Sequence, residues 1–245
     1  MRKPLLLLLL LPVLLGQAYN VPFNPPAAAA GATQYFSDDF SGTEAKWTDG
    51  SGTWAINTGE YQSSVSSGSA IFTDEATDTV TQFACVQNAS SATTYAGVKL
   101  RINTLDDSGN SYAMRWNLGG TKQITWRKCV EASCDDIGND YLTTLDEDNW
   151  LCAEVEGTLA NTIGRFWERA SDPTGEDPDD WGDPDACWCN GGSCSGCNCA
   201  GSTDCDNAEP GDGNYSDCGS GDCYVGLYSG SSATVLFDNF SGGSW

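Results

Sequence analysis

The chain has no histidine, and its 245 residues carry only 11 lysines and arginines against 34 aspartates and glutamates, a formal charge of −23. Without imidazole there is no His-based metal site, no Ser-His-Asp or Cys-His triad, and no ordinary general base near neutral pH. The shortage of cations excludes nucleic acid and anionic membrane as partners. It leaves divalent cations, neutral glycans or a basic partner. Helix formers are scarce after the first residues, and no apolar run past residue 18 is long enough to span a bilayer. A phosphate-binding loop, a dinucleotide fingerprint, a nucleophile elbow and internal repeats are all absent.

What is present begins with a leader. Arg2 and Lys3 precede Leu5 to Leu11, then Val13, Leu14, Leu15 and Gly16-Gln17-Ala18. This reads as a signal peptide over residues 1–18, cleaved after Ala18, or else as an apolar N-terminal arm used in assembly. Residues 19–34, with Pro22, Pro25, Pro26 and Ala27 to Ala30, read as a linker. The rest is short alternating segments broken by turn residues, the pattern of an all-β sandwich. Strands are expected over 35–41, 53–56, 60–65, 69–73, 79–88, 94–104, 111–118, 122–130, 149–156, 161–169, 223–229 and 233–240. Val98, Leu100 and Ile102 alternate with Lys99 and Arg101, which puts the two cations on the opposite face. Leu118-Gly119-Gly120-Thr121 is a hairpin signal.

Residues 171–223 break the pattern, with 13 acidic residues, no Lys or Arg, and eight of the 12 cysteines. Residues 182–223 read as an insertion too poor in apolar residues for a core of its own, so staples must order it. Cys187, Cys189, Cys194, Cys197, Cys199, Cys205, Cys218 and Cys223 are an even set in an apparently exported chain, which points to disulfides. The rival is a thiolate metal cluster, since Cys187-x-Cys189 and Cys194-x-x-Cys197-x-Cys199 have ligand-like spacing. Cys129 and Cys134 lie across a polar turn and are placed to pair locally. Cys85 and Cys152 sit in expected strands, either paired across a sheet or as buried thiols.

Asp38-Asp39-Phe40-Ser41-Gly42, Gly52-Thr53-Trp54 and Gly59-Glu60-Tyr61 open the patterned region, and Val225-Gly226-Leu227-Tyr228-Ser229 and Phe237-Asp238-Asn239-Phe240 close it. These ends resemble the outer strands of the concanavalin A-like lectin and glucanase superfamily, in its laminin-G-like form. The resemblance implies a two-sheet antiparallel jelly-roll sandwich over 35–242, with first and last strands paired. It also implies a structural Ca²⁺ where those strands meet, held by Asp238 with Asp38 or Asp39. The alternative is that these aspartates cap turns. Asp177, Asp179, Asp180, Asp183 and Asp185 lack the spacing of a twelve-residue calcium loop and read as a solvated acidic loop. In the resembled fold a curved sheet holds ligand on its concave face, and the middle strands here carry interleaved cations and aromatics. The candidate carbohydrate-binding residues are Arg115, Trp116, Trp126, Arg165, Trp167 and Arg169. Arg115 and Trp116 face opposite ways, so not all can serve one groove.

The Glu-x-Asp-x-x-Glu strand of the jelly-roll glucanases is missing. Asp146-Glu147-Asp148 and Glu154-Val155-Glu156 come closest, and the latter lacks a third acid. The expectation is therefore an exported, non-catalytic, lectin-like protein that binds a glycan or cell-surface polysaccharide or mediates adhesion. A structural or decoration protein of a virion or extracellular filament is the alternative, with self-assembly or virion partners, and a glycan-active hydrolase is a third. Sequons at Asn88, Asn214 and Asn239 matter only in a eukaryotic secretory pathway.

Overall fold

The computed structural model describes residues 34–63, 68–76, 81–89, 95–106, 108–117, 121–130, 133–142, 148–157, 162–171, 173, 181–190, 205–208, 223–230 and 235–244. The leader, nearly all of the linker, the Gly119-Gly120 turn, and Cys194, Cys197, Cys199 and Cys218 lie outside them, as do Asp146, Glu147, Asp177, Asp179, Asp180 and Asn214.

In chain order the strands are β1 (Gln34–Asp38), β2 (Trp47–Ser51), β3 (Trp54–Asn57), β4 (Glu60–Ser63), β5 (Gly68–Phe72) and β6 (Gln82–Asn88). Then come β7 (Tyr95–Ile102), β8 (Asn110–Asn117), β9 (Gln123–Val130), β10 (Ser133–Leu142) and β11 (Trp150–Glu156). The last are β12 (Ile163–Arg169), β13 (Ala186–Asn190), β14 (Cys205–Ala208), β15 (Tyr224–Ser229) and β16 (Val235–Ser244). They form two sheets. One has nine strands in the order β14-β13-β12-β11-β6-β16-β4-β3, with β1 also on β16. The other has seven, in the order β10-β9-β8-β7-β15-β5-β2. Every pairing is antiparallel except β13 with β14. The expected all-β sandwich is what forms, and its first and last strands pair, with Asp38 opposite Phe240 and Gln34 opposite Ser244.

Alternation builds the core. Val98, Met114, Trp126 and Ile137 form one inward row across β7 to β10. These side chains pack with Val86, Leu151, Phe166 and Phe237 of the other sheet. The opening motif is local chemistry. Asp38 Oδ1 accepts from the Phe40 N–H at 2.9 Å, and Asp38 Oδ2 accepts from the Trp47 indole N–H at 2.9 Å. This turn holds Phe40 at φ 52°, driving its fully buried ring against Trp47 and Tyr61.

Four strands escape the sequence pattern: β2, β10, β13 and β14. β10 is polar, Ser-Cys-Asp-Asp-Ile-Gly-Asn-Asp-Tyr-Leu, which lowers intrinsic strand preference. Its pairing is imposed from β9 by the Cys129–Cys134 disulfide, directly across the ladder, and by the Arg127 Nε–Asp136 Oδ1 ion pair at 2.6 Å. β13 lies inside the expected insertion, yet Trp188 is 2% exposed and packs on Tyr112 and Trp126 of the main core. This part of the insertion is thus ordered by burial as well as by staples. The indole needs room: a Cβ on Gly164 of β12 would stand 1.8 Å from Trp188 Nε1.

Cys85 and Cys152 pair across β6 and β11. Cys187 and Cys223 are also disulfide-bonded, so those two are not thiolate metal ligands. Arg101 corrects the alternation on β7. A register shift on the neighbouring β15 and a φ of 55° turn this fully buried side chain away from the Lys99 face. Its Nη2 donates to Gly157 O at 2.5 Å, and its own N–H donates to Gln82 Oε1 at 2.6 Å, so it ties β7 to the opposite sheet. No helix among the described residues is long and apolar enough to cross a membrane.

Candidate functional site

The outer face of the seven-stranded sheet carries a connected set of polar and aromatic side chains. One cross-strand row runs Asp136, Arg127, Ala113, Lys99, Gly226 from β10 to β15. The adjacent row runs Thr125, Arg115, Gly97, Tyr228. Arg127 Nη1 donates to Tyr228 Oη at 3.0 Å, although their strands stand three places apart in the sheet. Strands are spaced ~4.8 Å, so the two backbones are separated by roughly 14 Å. Both side chains must therefore lie nearly flat over the sheet. They can do so because the residues beside them in their rows are Ala113 and Gly97. Gly97 is obligatory here, since a Cβ would meet Met114 O at 1.9 Å.

The rest of the face fixes this arrangement. Arg127 Nη2 donates to Cys134 O, and its Nε pairs with Asp136. Lys99 is 2% exposed, with Nζ 5.8 Å from the Tyr228 ring centroid. The Arg115 guanidinium lies 4.7 Å from the centre of Tyr95, an exposed ring on the same face. Arg115 Nη2 also reaches Thr125 Oγ1 at 3.3 Å and Asp136 Oδ2 at 3.5 Å. Gln123 Nε2 donates to Asp140 Oδ2 at 2.7 Å, and the Thr125 hydroxyl donates to the same carboxylate. Tyr228 is only 7% exposed, so the accessible part of this face is the Tyr95 ring with the edges of two guanidiniums and several hydroxyl, amide and carboxylate groups. It offers stacking surface and planar hydrogen bonding, the two needs of a sugar ring.

Of the six residues expected to bind carbohydrate, only Arg115 lies on this face. Trp116 and Trp126 point the other way, into the core, Trp116 against Phe237 and Trp126 against Trp188. Arg165, Trp167 and Arg169 are on β12, on the outer face of the other sheet. There Trp167 joins Phe83, Trp150, Trp181 and the Cys85–Cys152 bridge in a second buried cluster. Trp167 Nε1 donates to Gly182 O at 2.9 Å. Arg169 donates to Trp181 O and Asp183 O and pairs with Asp185 at 2.9 Å, and Asp185 in turn accepts from the Glu168 N–H. These side chains fasten the 181–185 segment to the sheet. Arg165 bridges Glu154 at 2.7 Å and Glu156 at 2.6 Å, so the nearest approach to a catalytic acid pair shares one guanidinium. Lys99, Arg127, Tyr95 and Tyr228 share this face with Arg115 and were not among the six. The parity of Arg115 on β8 points to them once the register is known.

The expected calcium ligands, Asp238 with Asp38 or Asp39, have the following surroundings. Both oxygens of Asp38 are engaged by Phe40 and Trp47. Asp39 accepts from the Ser41 hydroxyl and N–H, which holds its carboxyl below the usual range. Asp238 sits at a bulge in β16 between Phe237 and Phe240. Partial burial, reinforced by Glu60, Asp148 and Asp39, pushes its carboxyl upward. Among the described residues no group of three or more His, Cys, Asp or Glu side chains is arranged to hold a metal.

No protein-family model and no curated protein sequence matches the chain. Solved structures with a similar chain path include the carbohydrate-binding module CBM66 from Bacillus subtilis, at 14% identity and a TM-score of 0.48, covering 81% of this chain and 96% of that one. A family 16 glycosyl hydrolase protein from Mycobacterium smegmatis aligns at 13% identity and TM-score 0.43, over 85% of this chain and all (100%) of that one. A xylan β-1,4-xylosidase from Bacillus halodurans aligns at 10% identity and TM-score 0.45, over 85% of this chain and 39% of that one. Similarity at this level carries no ligand or activity across to the present chain.

Proposed function

We propose that the protein is exported, lacks catalytic activity, and binds carbohydrate on the outer face of its seven-stranded sheet. The observation that carries the reading is the Arg115–Tyr95 pair, an exposed ring under a guanidinium, fixed beside the largely buried Arg127–Tyr228 link. An exposed tyrosine ring held by a guanidinium presents a preorganised stacking surface with hydrogen-bond donors beside it, so little ordering is left for the ligand to impose. Export is supported by the leader pattern and by the disulfides, which persist in oxidising compartments. The non-catalytic reading is supported by the Arg165 bridge between Glu154 and Glu156. The decoration alternative depends on the N-terminal arm, outside the described residues, and gains no support from the folded part. Calcium is assigned no ligand set in this reading.

The test is a glycan array probed with the mature chain, its Tyr95→Ala variant and its Arg115→Ala variant. Retention of a glycan family by the wild type, reduced about tenfold or more in both variants, is the expected result. No glycan retained, or undiminished retention by both variants, sinks the proposal.

A further inference from the structure

The six described cysteines that form disulfides differ in exposure. Cys85, Cys129 and Cys152 are fully buried, and Cys187 and Cys223 nearly so. Cys134 alone among the six is partly exposed. It stands on β10, at the edge of the seven-stranded sheet, directly opposite Cys129 on β9. The Cys85–Cys152 bridge is the contrast. It joins two inner strands of the other sheet and lies in the cluster of Phe83, Trp150, Trp167 and Trp181. Of these two bridges, a reagent arriving from solvent meets Cys129–Cys134 first, because access limits exchange.

Apart from this bridge, β10 is weakly held. Ile137 is its one buried side chain among the described residues, while Ser133, Asp135, Asp136 and Asp140 are exposed. Its ladder to β9 shifts register between Ile137 and Tyr141. An edge strand with so little apolar burial belongs to the low-stability end of a fold. Yet its first half organises the outer face. Cys134 O and Asp136 both receive Arg127, and Asp136 also receives Arg115, whose guanidinium lies against the exposed Tyr95 ring. One line of contacts thus runs from the bridge through Asp136 and Arg115 to Tyr95.

We infer that the Cys129–Cys134 bridge is a thiol–disulfide exchange site for a dithiol, and that its reduction releases the first half of β10 while the rest of the sandwich stays folded. A thiolate of the dithiol attacks Cys134 Sγ, the S–S bond breaks, and Cys129 leaves as a thiolate that takes up a proton. The second thiol of the reagent, deprotonated, then attacks its own sulfur in the mixed disulfide and frees Cys134. Two electrons and two protons pass to the two cysteines, and the dithiol becomes a cyclic disulfide. Release of β10 withdraws Asp136 from both guanidiniums. Arg115 then keeps Thr125 but loses its carboxylate, so the Arg115–Tyr95 pair loosens. The exchange site stands on the bridge and its contacts, whereas its effect on glycan binding rests on the carbohydrate reading above.

The experiment treats the mature chain with dithiothreitol at mildly alkaline pH without denaturant. Iodoacetamide then labels the freed thiols for peptide mass mapping, and amide hydrogen exchange follows each strand. Cys129 and Cys134 should be labelled about tenfold faster or more than Cys85 and Cys152. Once the bridge is open, exchange over residues 133–137 should quicken about tenfold or more, with β6 and β11 unchanged. Equal labelling of the two bridges overturns the inference, and so does unchanged exchange over 133–137. Quickened exchange in β6 and β11 as well overturns it too, because the bridge then holds the whole fold. The Cys129→Ser/Cys134→Ser double variant should show the fast exchange without dithiol and no response to it. Should that variant fold poorly, the treated wild type still decides. On a glycan array, retention by the oxidised chain should fall about tenfold or more on reduction. Equal retention by both forms overturns control of the face. Retention by neither removes the carbohydrate reading and leaves the exchange site standing.

Discussion

Asp38 shows how one carboxylate shapes the opening of the sandwich. Each of its oxygens takes one donor, and both donors, the Phe40 amide and the Trp47 indole, are buried with it. Asp38→Ala leaves two buried donors without an acceptor and should cost about 1–3 kcal/mol by urea melting. Because Trp47→Phe removes one of the same bonds, the double variant should lose less than the sum of the singles. Additive losses would mean the indole contact contributes nothing. Asp238 presents the opposite case. Its carboxyl is raised by burial and by Glu60, Asp148 and Asp39, so the folded state holds a proton more readily than the unfolded one. Stability is then lost as pH rises from the ordinary carboxylate range through that raised value. Asp238→Asn should raise the melting temperature at pH 7, measured in EDTA, by an amount equivalent to about 0.5 kcal/mol for a partly exposed group. The gain should vanish below the usual carboxylate range. If instead Ca²⁺ raises the wild-type melt and Asp238→Asn abolishes that effect, the cluster holds a cation.

At the scale of elements, β13 and β10 show what decides whether a strand can be read from its own residues. β13 is five residues with two cysteines and a tryptophan, and nothing in that stretch alternates. It forms because the Trp188 indole fills a place in the main core over Gly164. Trp188→Ala should cost about 3–5 kcal/mol, as for other large-to-small core changes, and Gly164→Ala should be nearly as harmful because the buried Trp188 indole must move. A Trp188→Ala loss below ~1 kcal/mol would show that the disulfides alone fix this strand. β10 is legible only through its partner, since its aspartates match the cations and hydroxyls of β9. Strands with period-two apolar residues, such as β7, β8 and β11, were found within one or two positions, because burial on one face dictates the pattern. The carbohydrate candidates were less legible for a related reason. Trp116, Trp126 and Trp167 have ligand-like chemistry, but large aromatics also make cores, and only the pairing register shows which face each one takes. The Cys85–Cys152 pair sits directly opposite in two strands that alternation marks, and Cys129–Cys134 is legible from its five-residue spacing across a polar turn.

Across the whole molecule the two outer faces divide the work, and mutation can separate them. On the nine-stranded sheet, Trp167 and Trp181 meet edge to face at 5.2 Å over the Cys85–Cys152 bridge, with Phe83 and Trp150 around them. Trp181 is only 5% exposed, and its indole N–H donates to Pro173 O. Both rings are enclosed by their own chain, so neither is available to stack on a sugar, and each removal opens a cavity in the same small cluster. Trp167→Ala and Trp181→Ala should therefore destabilise by similar amounts, about 3 kcal/mol or more each. Below their melting temperatures both variants should retain wild-type glycan affinity. On the seven-stranded sheet the ranking reverses. Tyr95 contributes an exposed ring held by Arg115, so Tyr95→Ala should weaken glycan binding about tenfold or more. Its thermal cost should be the smaller of the two kinds. Paired melting curves and titrations of the three variants decide the matter. Loss of binding by Trp167→Ala at full folding, with Tyr95→Ala unaffected, would move the ligand site to the other sheet.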